Sequence, residues 1–583
     1  MIRSRLRYLL PLCAALLACL ILPGSALAHA VLESSSPTRG AVLKQPPRQV
    51  TFEFNEPVEA SLGAVRVFNA EAEEVQSGEI RRLGDSGTEI AIGLQDDLPD
   101  GVYTATYRVV SADAHPVSGG MVFTVGSGGT SSGKTISELI AMSDVGPVTE
   151  VAFWFDRWAG YVAIAIAVGL LSFLLLLWTP LLRARDGLLA PRAEEFGDRL
   201  RKILGAAVLT GLIASLLAIP LQGATAAGTD FWSSLKPEVF REVIDTRYGT
   251  VMVIRVLAWL ALVPAVLASA GLARNPGWSR KPLPLAAIAV PAIVLVVTPA
   301  LAGHASTQHP IWLLTASDIL HVAAMSVWVG GLAALVLLLP SVTRRIAGTA
   351  ERNSVLVDFL LRFSTVALVA VIVIAVSGSI QAIVEVNSFP ALVDTAFGRA
   401  VLIKIILFAA LIAFGASNRR RIIPALVARR ERGEGPGETG LRARRNLRLE
   451  VVLVMAVLAL TAALVSYPPP TASQSGPVSG SVAAGPDRLE YTVDPAWVGS
   501  NEIHVYLFDD RTGAPMEVKS LELSFSLPDS DIAPIEADVR KAGPGHYVAP
   551  AAMLAVKGDW EARAAVRFSR FNEVLADFEV PVE

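Results

Sequence analysis

The chain has 583 residues, of which 52% are hydrophobic and 18% charged, and its formal net charge is −3. That composition is too apolar for an ordinary soluble protein of this length, and the near-neutral charge gives no sign of a nucleic-acid partner. The apolar residues gather in long runs between about residue 150 and residue 467, while both ends read as water-soluble.

The first segment runs Met1-Ile-Arg-Ser-Arg-Leu-Arg7, then an apolar stretch from Leu9 to Leu22, then Ala26-Leu27-Ala28. A positive start, an apolar middle and small residues at −3 and −1 predict a secretory signal peptide over 1–28, cut after Ala28. Both cysteines of the chain, Cys13 and Cys19, fall inside it. A chain cut there keeps no cysteine, so any metal site must use nitrogen, oxygen or thioether ligands.

From residue 29 to residue 126 the pattern is short and alternating, as in Val50-Thr-Phe-Glu-Phe54, Ala64-Val-Arg-Val-Phe68, Val102-Tyr-Thr-Ala-Thr-Tyr-Arg-Val109 and Met121-Val-Phe-Thr-Val125. Period-two segments rich in Val, Phe, Thr and Tyr predict strands of a small sandwich or barrel. A Gly/Ser-rich stretch opens a linker over 127–149.

Eight candidate spans follow within 150–467, at about 158–183, 203–222, 250–272, 283–303, 311–340, 364–386, 399–417 and 449–467. Each is near or above the roughly 20 residues that cross a bilayer core. Alternate loops are rich in arginine, the last of them holding Arg419, Arg420, Arg421, Arg429, Arg430, Arg432, Arg442, Arg444, Arg445 and Arg448. The positive-inside rule puts those loops in the cytoplasm, and an even number of spans then puts both soluble ends outside. After a linker over 468–484, the tail 485–583 alternates again, for example Glu502-Ile-His-Val-Tyr-Leu-Phe508 and Trp560-Glu-Ala-Arg-Ala-Ala-Val566, and predicts a second β-sandwich. The expected fold class is thus mixed: a β-sandwich, an eight-helix transmembrane bundle and a C-terminal β-sandwich.

Two constellations carry chemistry. In the first, cleavage makes His29 the N-terminus, where a free amine and Nδ1 chelate together; a second imidazole would complete a nitrogen-rich plane that suits copper(II). Asp113 and His115 lie two residues apart, and an extended backbone sends both side chains from one face. The residues alone leave a second reading open, in which His29 merely marks the cleavage point and Asp-Ala-His is a polar loop.

His29-Ala-Val-Leu-Glu-Ser-Ser-Ser-Pro37, Phe52-Glu-Phe-Asn-Glu-Pro-Val-Glu59 and the run from Gly101 to Gly119 ending in Ser111-Ala-Asp-Ala-His-Pro-Val-Ser-Gly119 resemble the CopC family of extracytoplasmic copper-binding domains. The resemblance implies a Greek-key, immunoglobulin-like sandwich with copper(II) held by His29, Asp113 and His115, and with Glu56 as a further or outer ligand. Met121 is the only methionine in the segment, so the thioether set that holds copper(I) in some relatives is absent.

The second constellation is in span five. Ser317, His321, Met325 and Trp328 follow three- and four-residue spacing and share one helical face, with Asp318 beside them. His321 lies ten residues in, roughly 15 Å deep, where ionisable groups face a pathway or a partner. His321 and Met325 offer a set that accepts copper(I), and His304 and His309 flank a short loop that would serve as its entrance. Arg255, Lys404 and Arg399 are candidate partners for Asp318. A purely structural role, polar groups holding helices together, explains the same residues.

Gly303-His304, His321-Val-Ala-Ala-Met-Ser-Val-Trp-Val-Gly-Gly-Leu332, Arg362-Phe-Ser364, Ser377-Gly378 and Gly398-Arg-Ala-Val-Leu-Ile-Lys404 are similar to the CopD family of copper-transport membrane domains. The tail is similar to YtkA-like β-sandwich domains; its His504 and His546 lie in different strands without ligand spacing and read as ordinary surface or core histidines.

No acidic phosphorylation motif of a P-type pump and no Cys-x-x-Cys occurs, and neither ATP-driven nor enzymatic chemistry is expected. The expected function is capture of copper(II) outside a bacterial cytoplasmic membrane and passage of copper inward, within copper homeostasis or resistance. The copper ion, the lipid bilayer and an extracytoplasmic chaperone or reductant are the expected partners. Two competing readings are haem-based electron transfer that reduces copper, through two membrane histidines, and an oxidase built on an N-terminal histidine brace.

Overall fold

The computed structural model describes residues 30–467 and 478–582, apart from 31, 61–63, 85, 112–115, 127–138, 140–145, 387, 513, 529 and 531. The predicted signal peptide and three of the predicted copper ligands, His29, Asp113 and His115, lie outside the described residues.

The N-terminal alternation forms eight strands: β1 (Leu32–Ser36), β2 (Val42–Leu43), β3 (Gln49–Phe54), β4 (Val65–Phe68), β5 (Gln76–Leu83), β6 (Glu89–Leu94), β7 (Gly101–Val110) and β8 (Pro116–Val125). They make two four-stranded sheets, ordered β1-β3-β6-β5 and β2-β8-β7-β4. Alternate residues such as Phe52, Phe54, Tyr107 and Phe123 point between the sheets, which is the sandwich that the period-two pattern predicts. Tyr107 sits 5.1 Å from the Phe52 ring and 5.3 Å from that of Phe54. Met121 is fully buried in this core, so the domain's one methionine is packing. β7 and β8 pair as far as Val110 and Pro116, on either side of 112–115.

Eight helices are long and apolar enough to cross a membrane: α1 (Gly146–Ala184), α2 (Asp186–Ala226), α3 (Arg247–Arg274), α4 (Pro282–Ala302), α5 (Ile311–Thr343), α6 (Thr349–Val386), α7 (Ala396–Glu431) and α8 (Gly437–Leu464). Each predicted span falls on one of them, but several helices run about three to five turns further at the arginine-rich end. An apolar window finds only the part that crosses hydrocarbon; arginine is a good helix former and carries the helix on into water.

α1 and α5 form the centre of the bundle, with 72% and 67% of their most apolar stretches buried, against 17% for α7. Their backbones touch. A Cβ at Gly169 would lie 2.2 Å from the Ser326 carbonyl oxygen, and one at Gly330 would lie 2.2 Å from Gly169 Cα. Small residues at a helix crossing allow this approach where apolar lipid gives no hydrophobic drive for association.

The C-terminal strands are β9 (Val478–Ala484), β10 (Asp487–Asp494), β11 (Gly499–Phe508), β12 (Ser520–Ser526), β13 (Ile535–Ala537), β14 (Arg540–Gly543), β15 (His546–Leu554), β16 (Gly558–Arg567) and β17 (Glu573–Val582). A five-stranded sheet ordered β14-β15-β11-β10-β9 packs on a four-stranded one ordered β13-β12-β16-β17 over a core that includes Phe525 and Trp560. β9 lies in the stretch read as linker, where small residues give the alternation little apolar contrast.

Gly330→Val would force side-chain bulk into the α1–α5 contact. We expect about 1–3 kcal/mol of destabilisation, read as a lower unfolding temperature of the detergent-solubilised protein; an unchanged midpoint would mean that the two helices do not meet at this point.

Candidate functional site: a polar cavity in the helix bundle

α5 begins after Pro310 and carries its polar residues toward the middle of the bundle. The Ser317 hydroxyl donates to the Ser377 carbonyl on α6 at 3.0 Å. One turn on, His321 Nδ1 lies 3.0 Å from Ser377 Oγ. The Ser377 hydroxyl also stands 2.7 Å from the Val373 carbonyl; with its proton given there, its oxygen accepts from the ring, Nδ1 carries the proton and Nε2 keeps its lone pair. Gly378 lets the ring lie flat against α6, since a Cβ there would come within 3.2 Å of His321 Cε1.

His321 and Met325 line a cavity of about 230 Å³ inside the bundle. Its other walls are polar to a degree rare in a membrane interior. Asp318 Oδ1 accepts from Gln381 Nε2 on α6 at 3.3 Å. Glu385, one turn beyond Gln381, and Lys404 on α7 share that side, and Lys404 interacts electrostatically with both carboxylates. Across the cavity, Asp156 and Tyr161 of α1 face Tyr248 and Arg255 of α3. The Arg255 guanidinium donates through Nε to Thr298 Oγ1 at 2.9 Å. Three carboxylates (Asp156, Asp318, Glu385) and three cations (Arg157, Arg255, Lys404) thus share the cavity wall with His321 and Met325.

The mouth of this cavity lies under the N-terminal domain. His304 is in the cavity wall, in the turn that follows α4. Arg247, at the start of α3, reaches that turn: its guanidinium donates to Ser306 Oγ, and at 3.1 Å to the Leu301 carbonyl. The Arg247 backbone N–H donates to Glu59 Oε1 of the N-terminal domain at 3.0 Å. Burial pushes the Glu59 carboxyl up from its ordinary range, against the opposing pull of the Arg247 N–H. Glu59 is bridged in turn to Val110, with N–H to carbonyl bonds of 2.8 Å in both directions, at the end of β7. On the same strand, Arg108 Nε donates to the Thr225 carbonyl at the end of α2, at 3.2 Å. The strand end that leads into Asp113 and His115 is therefore anchored beside the turn that holds His304.

The structure brings His304, His321 and Met325 to one cavity. His309 is exposed and is not in its wall. Glu56 is half-buried just beyond β3. Of the candidate partners for Asp318, Lys404 shares its side of the cavity, whereas Arg255 is on the opposite side with Asp156. Asp156, Gln381 and Glu385 escaped the sequence reading. Gln381 and Glu385 do carry a signal, a polar pair at i and i+4 inside an otherwise apolar span. Among the described residues no group of three or more His, Cys, Asp or Glu side chains is close enough to hold a metal ion.

Three family descriptions match the chain: "CopC domain" over residues 32–126, "Copper resistance protein D-like, N-terminal domain" over 148–311, and "Copper resistance protein D" over 357–464. The chain is 30% identical over 506 residues to "Copper transport protein CutJ" of Bacillus subtilis, covering 86% of each chain. It is 28% identical over 272 residues to "Copper resistance protein D" of Pseudomonas syringae pv. tomato, covering 46% of this chain and 82% of that one. Among solved structures, CopC from Methylosinus trichosporium OB3b aligns at 26% identity with a TM-score of 0.16, covering 17% of this chain and 93% of that chain. With CopC and CopD segments in one chain, and a full-length relative at this identity, the protein belongs to the CopC–CopD fusion family of copper transport and resistance proteins and is a multi-pass membrane protein.

Proposed function

We propose that this protein imports copper across the bacterial cytoplasmic membrane, capturing copper(II) at the N-terminal domain and passing copper down into the bundle cavity. The observation that carries this reading is the anchoring of β7, through Arg108 and Glu59, beside the turn of His304. A domain docked elsewhere would leave its cargo to diffuse. The arginine-rich loops put the β domains on the outer face, and signal-peptide cleavage after Ala28 frees the amine of His29 for chelation.

Each station has ligands suited to its task. His29, Asp113 and His115, with Glu56 as a further or outer ligand, offer nitrogen and oxygen to copper(II). In the cavity the His321 Nε2 lone pair and the Met325 thioether are softer and suit copper(I). Copper(II) needs one electron to cross as copper(I), so the handover calls for an external one-electron donor, or for a chaperone that brings the ion already reduced. The cavity is smaller than the roughly 300 Å³ at which sites for drug-sized ligands begin, so it suits a bare ion better than a haem.

His321→Ala should lower copper accumulation at limiting copper by about tenfold or more, and Ser377→Ala should give an intermediate loss by freeing the other tautomer, since groups that orient a metal ligand are typically worth roughly 10–100-fold in affinity. Unchanged accumulation in His321→Ala would end the cavity-pathway reading. For the outer site, one alanine inserted between Ala28 and His29 should abolish tight copper(II) binding in the processed protein, because the amine and Nδ1 would no longer belong to one residue. Retained affinity in a chain with verified N-terminal sequence would rule out His29 as the anchor.

A further inference from the structure

His504 and His546 are not ordinary core histidines. β11 points Ile503, Val505 and Leu507 into the C-terminal core, so Glu502, His504 and Tyr506 lie on the outer face of that sheet. An outer face of a sandwich normally meets water, yet Glu502 is 1% exposed, His504 0% and Tyr506 4%. Thr492 and Asp494 of β10 and His546 of β15 share the face and are equally covered.

What covers them is the N-terminal domain. Gly40, Val102, Val122 and Thr124 face Gly543, Val548 and Pro550 across one cleft. Val102 and Val122 are buried but form no part of the N-terminal core. Gly40 is in the left-handed region at φ +67°, and a Cβ on it would lie 2.6 Å from Pro550 Cβ, so the turn before β2 touches β15 where only glycine fits. Beside it, Arg39 Nη1 donates to the Asp494 carbonyl at 2.9 Å. Its guanidinium lies 3.6 Å from Asp494 Oδ2 and 3.8 Å from Glu502 Oε2.

The charges explain why this seat requires a cation. Asp494 and Glu502 put two carboxylates in one dry face, and burial raises the Asp494 carboxyl while Arg39 pulls it down. Behind Glu502, His504 Nε2 stands 3.4 Å from Oε1, and His504 Nδ1 meets His546 Nε2 at 3.1 Å. Tyr506 stacks on His546 at 4.2 Å, and burial holds that imidazole neutral, far below its ordinary range. This chain of rings stands behind the carboxylate but brings the face no permanent positive charge. The Arg39 guanidinium supplies it, and removing one partner of so buried a set leaves the other charges uncompensated.

We propose that the C-terminal domain is a receptor for the N-terminal copper-binding domain, with the Arg39-Gly40 turn as plug and the Asp494–Glu502–His504–His546 face as socket, so that the copper site is held over the cavity mouth. Its transport consequence rests on the delivery reading above; the docking itself does not.

Docking can be read in the full-length protein in lipid nanodiscs. Cys13 and Cys19 are replaced by serine, and spin labels are placed at Glu71→Cys and Lys557→Cys, both exposed positions in different domains. One narrow inter-label distance is expected. Arg39→Glu, and independently Val122→Glu in the middle of the seam, should broaden it into many, while Arg39→Lys keeps most of the narrow population. In both glutamate variants one equivalent of copper(II) should still bind, with copper uptake at limiting copper down about tenfold as effective concentration is lost. An unbroadened distance in Arg39→Glu would overturn the plug. Broadening with unchanged uptake would overturn its role in delivery. Failure of the cavity reading itself would show separately, as unchanged uptake in His321→Ala while the docked distance stays narrow.

Discussion

The bond between His321 Nδ1 and Ser377 Oγ is the contact on which the cavity depends. An imidazole inside a helix bundle takes its tautomer from the polar groups within reach, and Ser377 on a neighbouring helix is one of them. Ser377 has one proton; given to its own helix, it leaves the ring to donate through Nδ1. Everything else about the ring follows. Its Nδ1–Cε1 edge lies on α6 at Gly378, Nε2 keeps its lone pair, and Met325 stands one turn further along the same wall. The Gly169–Gly330 contact then matters at one remove, because it holds α5 at the centre of the bundle where α6 can reach it.

The two β domains act at the same end of this bundle. Among the described residues, Arg108 joins the N-terminal sandwich to α2 and Glu59 joins it to α3. Its other large face is covered by the C-terminal sheet, and there the seat of Arg39 combines close backbone approach with a buried charge requirement. Three contacts on different elements define an orientation that any one of them would leave free. In the proposed division of labour the bundle provides the polar route, the first domain the copper chemistry, and the last domain the alignment.

How much of this the sequence displays depends on whether the signal is local. His321 is conspicuous because an ionisable residue breaks a long apolar run, and Met325 because it follows at helical spacing. Ser377, its partner, is 56 residues away, and no local pattern joins the two. The strands were legible wherever large residues alternate, as in β7 and β11, and illegible in β9, whose small residues blur the contrast. Glu502, His504 and Tyr506 alternate in full view, yet only the presence of a second domain turns that outer face into an interior. His309 and His304 sit in one short loop and read as a pair, but the turn after α4 takes one into the cavity wall and leaves the other in solvent. The helix ends were cut short for a related reason: arginine reads as the end of a span, though it continues the helix.

The most direct test of the central claim, delivery of copper through the bundle, is a flux measurement on purified protein in vesicles whose β domains face outward. With radioactive copper and a mild reductant outside, copper should enter the lumen at a rate that saturates as the N-terminal site fills. Copper that loads the outer domain fully but enters no faster than in protein-free vesicles would contradict it.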